Sequence, residues 1–340
     1  MRFRRRLPIL LAVVLVVAAV ALLVFLRKHA PPEPARLLPG ADGFFYVNLR
    51  WIRRANIGGQ LPAVSHDPEY EQFIEATGFQ FERDLEEAAF AIHNAADSPG
   101  GKPAPPRFSE VFIAKIHGDR LRSYLKKVSG SIEDYRSVDI YSIPLEGRTL
   151  RVAILGVDTV AASNHDDPFV IRGIIDRSRK MASPFGGPAL LRQSYKYVPF
   201  ASLAWAILKV DPTASYTKSL DFVFPRSAVV VASIRYLGTV HFKAEAFTGS
   251  EEEAKRLTEQ LNAFLKIFQA IDINGPVQSS DPDIKQFFDN LKIEQHKDRA
   301  VLTTIVPHGF IRKALAEPPN TSETTPTENP PANDSKRQQK

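Results

Sequence analysis

The sequence predicts an α+β fold in which mainly antiparallel sheets carry amphipathic helices on one face, after a single N-terminal transmembrane helix. Three observations indicate this class. Twenty consecutive residues, 7–26, contain no charged or hydrogen-bonding side chain. Segments such as 240–247 alternate apolar and polar residues, which is typical of strands with one solvated face. Other segments, best seen at 250–271, repeat apolar residues every three or four positions, which is typical of helices.

The uncharged stretch is long enough to cross a membrane once. At about 1.5 Å of rise per residue, a helix of this length spans roughly 30 Å, the thickness of the hydrocarbon core. Only Arg27 and Lys28 follow it, whereas four arginines precede it, at positions 2, 4, 5 and 6. Because the more basic flank stays in the cytoplasm, the chain from about His29 onward is expected outside the cytoplasm. Residues 1–28 are therefore predicted to be a basic tip and an anchor, with residues 7–26 in the membrane.

The same stretch has features of a cleaved secretory signal. Basic residues precede it, and the triplet Ala19-Val20-Ala21 is typical of a cleavage site. Five more apolar residues follow the triplet, while the apolar core of a signal peptide is normally about 7 to 15 residues. The sequence therefore favours an uncleaved anchor. A lipid-modified N-terminus is excluded because the chain contains no cysteine.

The positive charge is concentrated in the first 28 residues. The chain of 340 residues has a formal net charge of +6, and residues 1–28 hold six basic and no acidic side chains, so the remainder is neutral. A nucleic-acid-binding domain needs a basic surface, and no nucleic-acid partner is expected. The absence of cysteine also excludes disulfides and thiol catalysis, so an exported domain depends on its hydrophobic core for stability.

Apolar periodicity divides the rest of the chain into a spacer, two halves and a tail. The spacer is the Pro-rich segment 29–36, followed by a first half at 37–183 and a second half at 184–316. Both halves read strand, strand, helix, strand, strand, helix. Their residue identity is slight, so the duplication is a hypothesis about the pattern alone. Residues 317–340 are rich in Pro, Thr and Asn without apolar periodicity and are expected to be disordered.

Individual elements follow from strand-forming runs and from helix start signals. The predicted strands are 43–49, 88–93, 111–116, 138–143, 150–155, 159–163, 202–210, 228–236, 239–247, 292–296 and 300–306. Helices are predicted to begin near Asp67-Pro68, Gly118, Asp167-Pro168, Ser250 and Asp281-Pro282, and a last short helix is expected to end near Leu315. Ser250 and Glu253 have the spacing of a capping box.

The sequence offers little enzymatic signal. It contains no G-x-S-x-G elbow, H-E-x-x-H, P-loop or G-x-G-x-x-G, which argues against common hydrolase and nucleotide-binding families, and no cofactor is expected. The cluster His165-Asp166-Asp167 is a candidate for hydrolytic or metal chemistry. It stands directly before Pro168 at a predicted helix start, where aspartate caps backbone N–H groups. Capping is therefore the favoured interpretation.

Two histidines end neighbouring predicted strands, His93 and His117, in the similar phrases AIH and KIH. If the strands pair antiparallel, the two side chains lie about six residues or roughly 20 Å apart and cannot share a metal. Only a parallel pairing would bring them together. The sequence therefore predicts no metal site.

Two surface features leave alternatives open. The run Arg50-Trp51-Ile52-Arg53-Arg54 has the composition of a membrane-surface or acidic-ligand patch, although solvated arginines on a strand edge or short helix are the favoured interpretation. The 22 Phe and 9 Tyr would suit a lipid or small-molecule pocket. Most of these rings fall on the apolar faces of predicted elements, which favours core packing.

The chain resembles a known bacterial family. The resemblance is carried by the anchor, the spacer, the opening LPGADGFFYVNL at 38–49 and the helix 250–271 followed by residues 291–306. The family consists of membrane-anchored extracytoplasmic proteins classed as a domain of unknown function, and the resemblance covers most of residues 36–316. It implies an α+β ectodomain in the bacterial envelope, and it carries over no catalytic residue. Together with the predicted anchor, this location predicts a single-pass protein of the bacterial inner membrane.

The sequence favours a non-enzymatic binding or scaffold module of the bacterial envelope, because an anchor and a neutral ectodomain occur without a catalytic constellation. The expected partners are the membrane, through residues 7–26, and an envelope protein, peptide or lipid. Two alternatives stay open. One is an extracytoplasmic hydrolase that uses His165, Asp166 or Asp167, and the other is a lipid-binding domain with a continuous apolar cavity.

Topology fusions test the predicted anchor. An alkaline phosphatase fused after residue 30 is expected to be active, and a green fluorescent protein at the same position dark, because the chain beyond the anchor is exported. Intact mass measurement should show that the mature protein retains residues 7–26. A fluorescent fusion, or a mature product that begins after Ala21, would contradict this topology.

Overall fold

The computed structural model describes residues 30–54, 66–94, 106–145, 147–179, 186–212, 223–274 and 282–309. The predicted anchor at 7–26, the tail at 317–340 and the short helix expected to end near Leu315 lie outside these ranges. None of the helices within the described ranges combines the length and the apolarity that a membrane crossing requires.

Twelve strands of the described chain form one continuous sheet. They are β1 (Gly43–Asn48), β2 (Leu85–His93), β3 (Arg107–Ala114), β4 (Ser131–Tyr135), β5 (Val138–Leu145), β6 (Arg148–Ile154), β7 (Thr159–Ser163), β8 (Ala204–Val210), β9 (Ala228–Tyr236), β10 (Val240–Phe247), β11 (Lys292–His296) and β12 (Arg299–Val306). Their order is β11-β12-β10-β9-β8-β1-β2-β3-β7-β6-β5-β4. All neighbours pair antiparallel. The predicted α+β class is confirmed.

The helices lie between and after the strands. They are α1 (Glu33–Leu37), α2 (Leu49–Arg54), α3 (Pro68–Thr77), α4 (Phe81–Asp84), α5 (Gly118–Val128), α6 (Phe169–Arg179), α7 (Ala189–Ser194), α8 (Glu251–Asn274) and α9 (Pro282–Asp289), with a 3₁₀ turn at Tyr195–Tyr197.

The strand order is mirrored about the central pair β1–β8. From β1 outward come β2, β3, β7, β6, β5 and β4, and from β8 outward come β9, β10, β12 and β11, so the first four places of the two series correspond. A helix follows the third strand of each series, α5 after β3 and α8 after β10. The duplication of the two halves stays a hypothesis. The division into halves at residue 183 stays a prediction, because the sheet runs unbroken through β1 and β8.

Helices cover both faces of the sheet. On one face, α1, α6 and α7 pack on the central strands around the fully buried Phe44. On the other face, Leu125 of α5 packs with Tyr141, and Leu257 of α8 packs with Ala246. The sequence analysis expects helices on one face. Successive apolar residues in the central strands explain the second layer, since both faces of those strands then need cover.

The helix termini show the predicted capping. Asp67 Oδ1 accepts a hydrogen bond from the backbone N–H three residues later at 2.7 Å, and α3 ends at Gly78 with φ of 75°. Ser250 Oγ accepts from the Glu253 N–H at 3.2 Å, as a capping box requires. The return bond is shifted by one residue, because Glu253 Oε2 accepts from the Gly249 N–H at 3.0 Å.

Ile174 tests the packing of α6 on the sheet. Its side chain is 0% exposed, so Ile174→Ala leaves a cavity and should lower the free energy of unfolding by about 2–5 kcal/mol. Phe169→Ala on the same helix is the control, because Phe169 is larger but 68% exposed and should cost less than about 1 kcal/mol. Chemical denaturation of the full chain in micelles measures both. Equal losses would contradict the packing of α6.

Candidate functional site

A cleft of about 950 Å³ opens along one of the two edges of the sheet that are formed by strand ends, where β1 ends and β8 begins. It is lined by side chains of β1, β8, α2, the 3₁₀ turn and residues 198–203. Residues 30–33 line it as well, so the described chain begins at this cleft. Ligand pockets commonly enclose roughly 300–1,000 Å³, and the cleft is therefore large enough for a small organic molecule.

The most buried part of the cleft lining is aromatic. Tyr46 on β1 lies opposite Trp205 on β8 in the strand register, and the two rings stack with centroids 5.5 Å apart. Tyr195 packs edge-on against Trp205 at 5.4 Å. Tyr46 is 5% exposed and Trp205 is 3% exposed. Cross-strand aromatic pairs contribute packing energy beyond the area they bury, so this part of the lining is held firmly in place.

A hydrogen-bond network joins this lining to α2. The Tyr46 hydroxyl donates to Glu87 Oε2 at 2.9 Å, and Arg50 lies 3.3 Å from Glu87 Oε1. Asn48 Nδ2 donates to the Tyr46 hydroxyl at 3.1 Å. Asn48 Oδ1 accepts from the backbone N–H of Trp51 at 2.9 Å. The network therefore fixes where α2 places its arginines and its tryptophan.

Both buried phenols have raised pKa values. Burial raises the pKa of Tyr46 well above its usual range, and the Glu87 carboxylate raises it further. Burial raises the pKa of Tyr195 to about 12. The two hydroxyls therefore stay protonated at neutral pH and serve as hydrogen-bond donors.

Cationic side chains outnumber acidic ones around the cleft. The lining includes four cations, Arg36, Arg50, Arg54 and Lys196, and two carboxylates, Glu33 and Glu87. Within the described ranges no carboxylate lies at ion-pair distance from Arg54 or Lys196. Arg54 lies 5.8 Å above the ring of Trp51, and Lys196 lies 4.9 Å above that of Tyr197. Two positive charges therefore face the cleft without a carboxylate to neutralise them.

Trp205 also presents a hydrogen-bond donor. Its Nε1–H is buried and finds no acceptor among the groups that the structure describes. A buried donor without a partner costs about 1–3 kcal/mol. Trp205 therefore lines the cleft with a buried donor that no described group satisfies.

The mouth of the cleft exposes aromatic rings beside the two cations. Trp51, Phe200 and Tyr236 are 53%, 62% and 37% exposed. Ala201, directly after Phe200, has φ of 59°, a left-handed backbone conformation that alanine rarely adopts. Strained backbone of this kind is concentrated at functional sites. We call the following five residues the cleft rim: Trp51, Arg54, Lys196, Phe200 and Tyr236.

The candidate residues from the sequence lie at the opposite edge of the sheet. Asp167 Oδ1 accepts from the Phe169 N–H at 2.9 Å at the start of α6. Asp166 pairs with Arg107 at 2.7 Å, and His165 Nδ1 accepts from the Asp167 N–H at 3.1 Å. Each of the three has a structural contact here, and a catalytic role for them stays a prediction.

His165 lies beside His93, a contact that the sequence analysis does not anticipate. Their ring centroids are 5.0 Å apart. Hydrogen bonds link His93 Nε2 to Ser109 Oγ at 2.9 Å, and Ser109 Oγ to Ser163 Oγ at 3.0 Å. A serine bonded to a histidine is the arrangement of an activated nucleophile. Ser109 is 0% exposed and Ser163 is 2% exposed, however, so a substrate does not reach either hydroxyl in this conformation.

The two histidines considered for a metal site lie at opposite edges of the sheet. β2 and β3 pair antiparallel, with His93 opposite Arg107, so His117 follows the far end of β3. Among the described residues, no three His, Asp or Glu side chains are grouped as metal ligands.

Only some of the residues that line the cleft are predictable from the sequence. The run 50–54 carries a visible signal, and the structure places Arg50, Trp51 and Arg54 on the cleft lining. Trp205 and Lys196 carry no local signal, because they join the cleft only through the pairing of β8 with β1.

Comparisons with known proteins add little. No family model matches the chain, and no curated protein shows significant sequence similarity to it. Solved structures that resemble it include crystal forms of TP0453. Form III has a TM-score of 0.45 and 9% identity, covering 83% of this chain and 97% of that chain. Form IV has a TM-score of 0.42 and 10% identity over 84% and 98%, and form I has 0.38 and 8% over 83% and 96%. At these values the likeness is weak and supports no function.

The buried imidazole of His93 makes stability depend on pH. Burial lowers its pKa from 6.5 to about 4, the nearby His165 adds to the lowering, and Asp42 opposes it. The unfolded state therefore binds a proton at a higher pH than the folded state does. The free energy of unfolding falls by roughly 3 kcal/mol as the pH decreases from about 6.5 to about 4. His93→Gln should flatten the unfolding free energy over this range.

The control for this measurement is His296→Gln, because His296 has a side chain that is 54% exposed. It should leave the slope of unfolding free energy against pH unchanged. An unaltered slope in His93→Gln would contradict the role of the buried imidazole.

Proposed function

We propose that the protein is a single-pass, membrane-anchored extracytoplasmic binding protein of the bacterial envelope, and that its cleft binds an anionic amphiphile. The anchor and the location rest on the sequence. The ligand class rests on one observation, a buried aromatic lining beside two cations that no carboxylate of the described chain neutralises.

The charge of the ligand follows from Arg54 and Lys196. These side chains belong to α2 and to the 3₁₀ turn, and both line the cleft. A phosphate or carboxylate head group would pair with both. Exposed ion pairs are worth up to about 1 kcal/mol each, so the two cations select the head group without supplying most of the affinity.

The apolar part of the ligand follows from the buried lining. Val198 and Leu203 are 8% and 6% exposed and line the cleft with Trp205 and Tyr195. Burial of apolar area contributes about 25 cal/mol per Å², so an alkyl chain that buries ~200 Å² would gain ~5 kcal/mol. An amphiphile uses both regions, whereas a small free anion uses only the cations. This ligand class overlaps with the lipid-binding alternative.

The hydrolase alternative has weaker support. Asp167 caps α6 and Asp166 pairs with Arg107, so these carboxylates already have partners. The nearby Ser109 is fully buried. The polar residues that the hydrolase would use therefore lie away from the cleft.

The chain contains two tryptophans, which makes Trp205 a specific reporter of the cleft. In Trp51→Phe the remaining emission comes from Trp205. Dihexanoyl phosphatidic acid, added below its micellar concentration to the full chain in phosphatidylcholine nanodiscs, is expected to change this emission saturably. Dihexanoyl phosphatidylcholine and inorganic phosphate should give no saturable change in the same range.

The double variant Arg54→Gln with Lys196→Gln should weaken this binding about tenfold, because two ion pairs are lost. Lys126→Gln with Lys127→Gln removes the same charge from the exposed face of α5 and should have no effect. The absence of saturation with the phosphatidic acid, or equal binding of inorganic phosphate, would overturn the proposed ligand class.

A further inference from the structure

We propose that the cleft rim lies against the bilayer that holds the anchor and contacts its anionic phospholipid head groups. The inference rests on the proposed membrane-anchored function and adds the source of the ligand. It places the mouth of the cleft at the membrane surface, so that the ligand of the cleft is a lipid of the adjacent leaflet.

The short distance along the chain between the predicted anchor and the cleft supports this placement. The predicted anchor ends at Leu26, and Ala30 already lines the cleft. Four extended residues span at most about 14 Å. Because the head-group layer is itself about 5–8 Å thick on each side of the hydrocarbon core, the edge that carries the cleft is held within side-chain reach of it.

The side chains of the cleft rim suit a membrane interface. Trp51, Phe200 and Tyr236 are large rings left exposed at the same cleft. Trp and Tyr are enriched at the head-group level of membranes, where one part of the ring is apolar and the other hydrated. Exposure of these rings to water does not stabilise the folded domain, whereas their burial at the membrane interface would be favourable.

The charge of this edge is complementary to anionic lipids. Arg53 is exposed and donates to the backbone carbonyls of Glu82 and Leu85, so it keeps its net charge. Arg54 and Lys196 line the cleft together with the exposed rings, and Arg53 lies beside Arg54 on α2. Basic side chains near a membrane surface are attracted to phosphatidylglycerol-type head groups.

The opposite edge of the sheet has a different character. There Asp166 and Asp167 are exposed, and the nearby Arg107 is paired with Asp166. The arginine there is therefore paired, whereas Arg54 and Lys196 at the cleft have no carboxylate partner within the described ranges.

Trp51 reports directly on this contact. In Trp205→Phe the remaining emission comes from Trp51, and the full chain is placed in nanodiscs whose lipids carry bromine on the acyl chain near the head group. The emission of Trp51 is expected to be several-fold weaker than in unbrominated discs. Bromine near the methyl end of the acyl chain should quench it less. Phosphatidylglycerol in the disc should increase the quenching over phosphatidylcholine alone.

A second variant guards against failure of Trp205→Phe to fold. The difference between wild type and Trp51→Phe isolates the emission of Trp51 without touching the buried ring. If the emission of Trp51 in brominated discs with phosphatidylglycerol is the same as in unbrominated discs, the inference is overturned.

Charge reversal tests the electrostatic part. Arg54→Glu with Lys196→Glu should remove the increase that phosphatidylglycerol causes. Lys126→Glu with Lys127→Glu, which changes the net charge equally on exposed α5, should keep it. Equal losses in the two double variants would show a general charge effect and would contradict contact through the cleft rim.

The two reporters separate this inference from the proposed function. A saturable Trp205 response to phosphatidic acid with an unquenched Trp51 would leave the cleft as a binding site and remove the membrane contact. A quenched Trp51 with no Trp205 response would support the membrane contact and remove the binding site.

Discussion

The pairing of β1 with β8 is the contact on which the rest of the structure depends. It joins the two strand series into one sheet, and its register sets Tyr46 against Trp205. At Gly43 the Leu208 side chain occupies the space beside the strand, because a Cβ there would lie 2.7 Å from Leu208 Cδ1. The buried ring pair then closes the inner end of the cleft, and residues that are distant in the chain meet there.

The polar groups next to this pairing determine which side chains line the cleft. The Tyr46 hydroxyl has to be satisfied once its ring is buried, and Glu87 from β2 accepts its hydrogen bond. The Glu87 charge in turn requires a cation, which Arg50 supplies from the first turn of α2. Arg54, one turn later, lines the cleft, and no carboxylate within the described ranges lies at ion-pair distance from it. The orientation of α2 is thus a consequence of burying a tyrosine.

The sequence predicts the fold better than it predicts the cleft, for a physical reason. Strands such as β9 and the caps at Asp67 and Ser250 depend on neighbours within a few residues, and they lie where periodicity places them. β4 escapes prediction because its burial is low, so it has no apolar alternation to detect. The stack of Tyr46 on Trp205 and the contact of His93 with His165 depend on strand order, which local patterns do not encode.

If the chain is anchored as proposed, its zero net charge beyond residue 28 explains why an anchor and a small cationic edge would work together. A domain without net charge has little long-range attraction to an anionic bilayer, and at physiological ionic strength charges are screened beyond about 8 Å. The two cations of the cleft rim would therefore not recruit the domain from solution. In the proposed topology the three residues 27–29, between the anchor and Ala30, would remove that need, because they would hold the edge at the surface at high effective concentration, where weak and short-range contacts are sufficient. The two cations would then determine which face of the domain meets the head groups, and the buried rings behind them would receive the apolar part of the ligand.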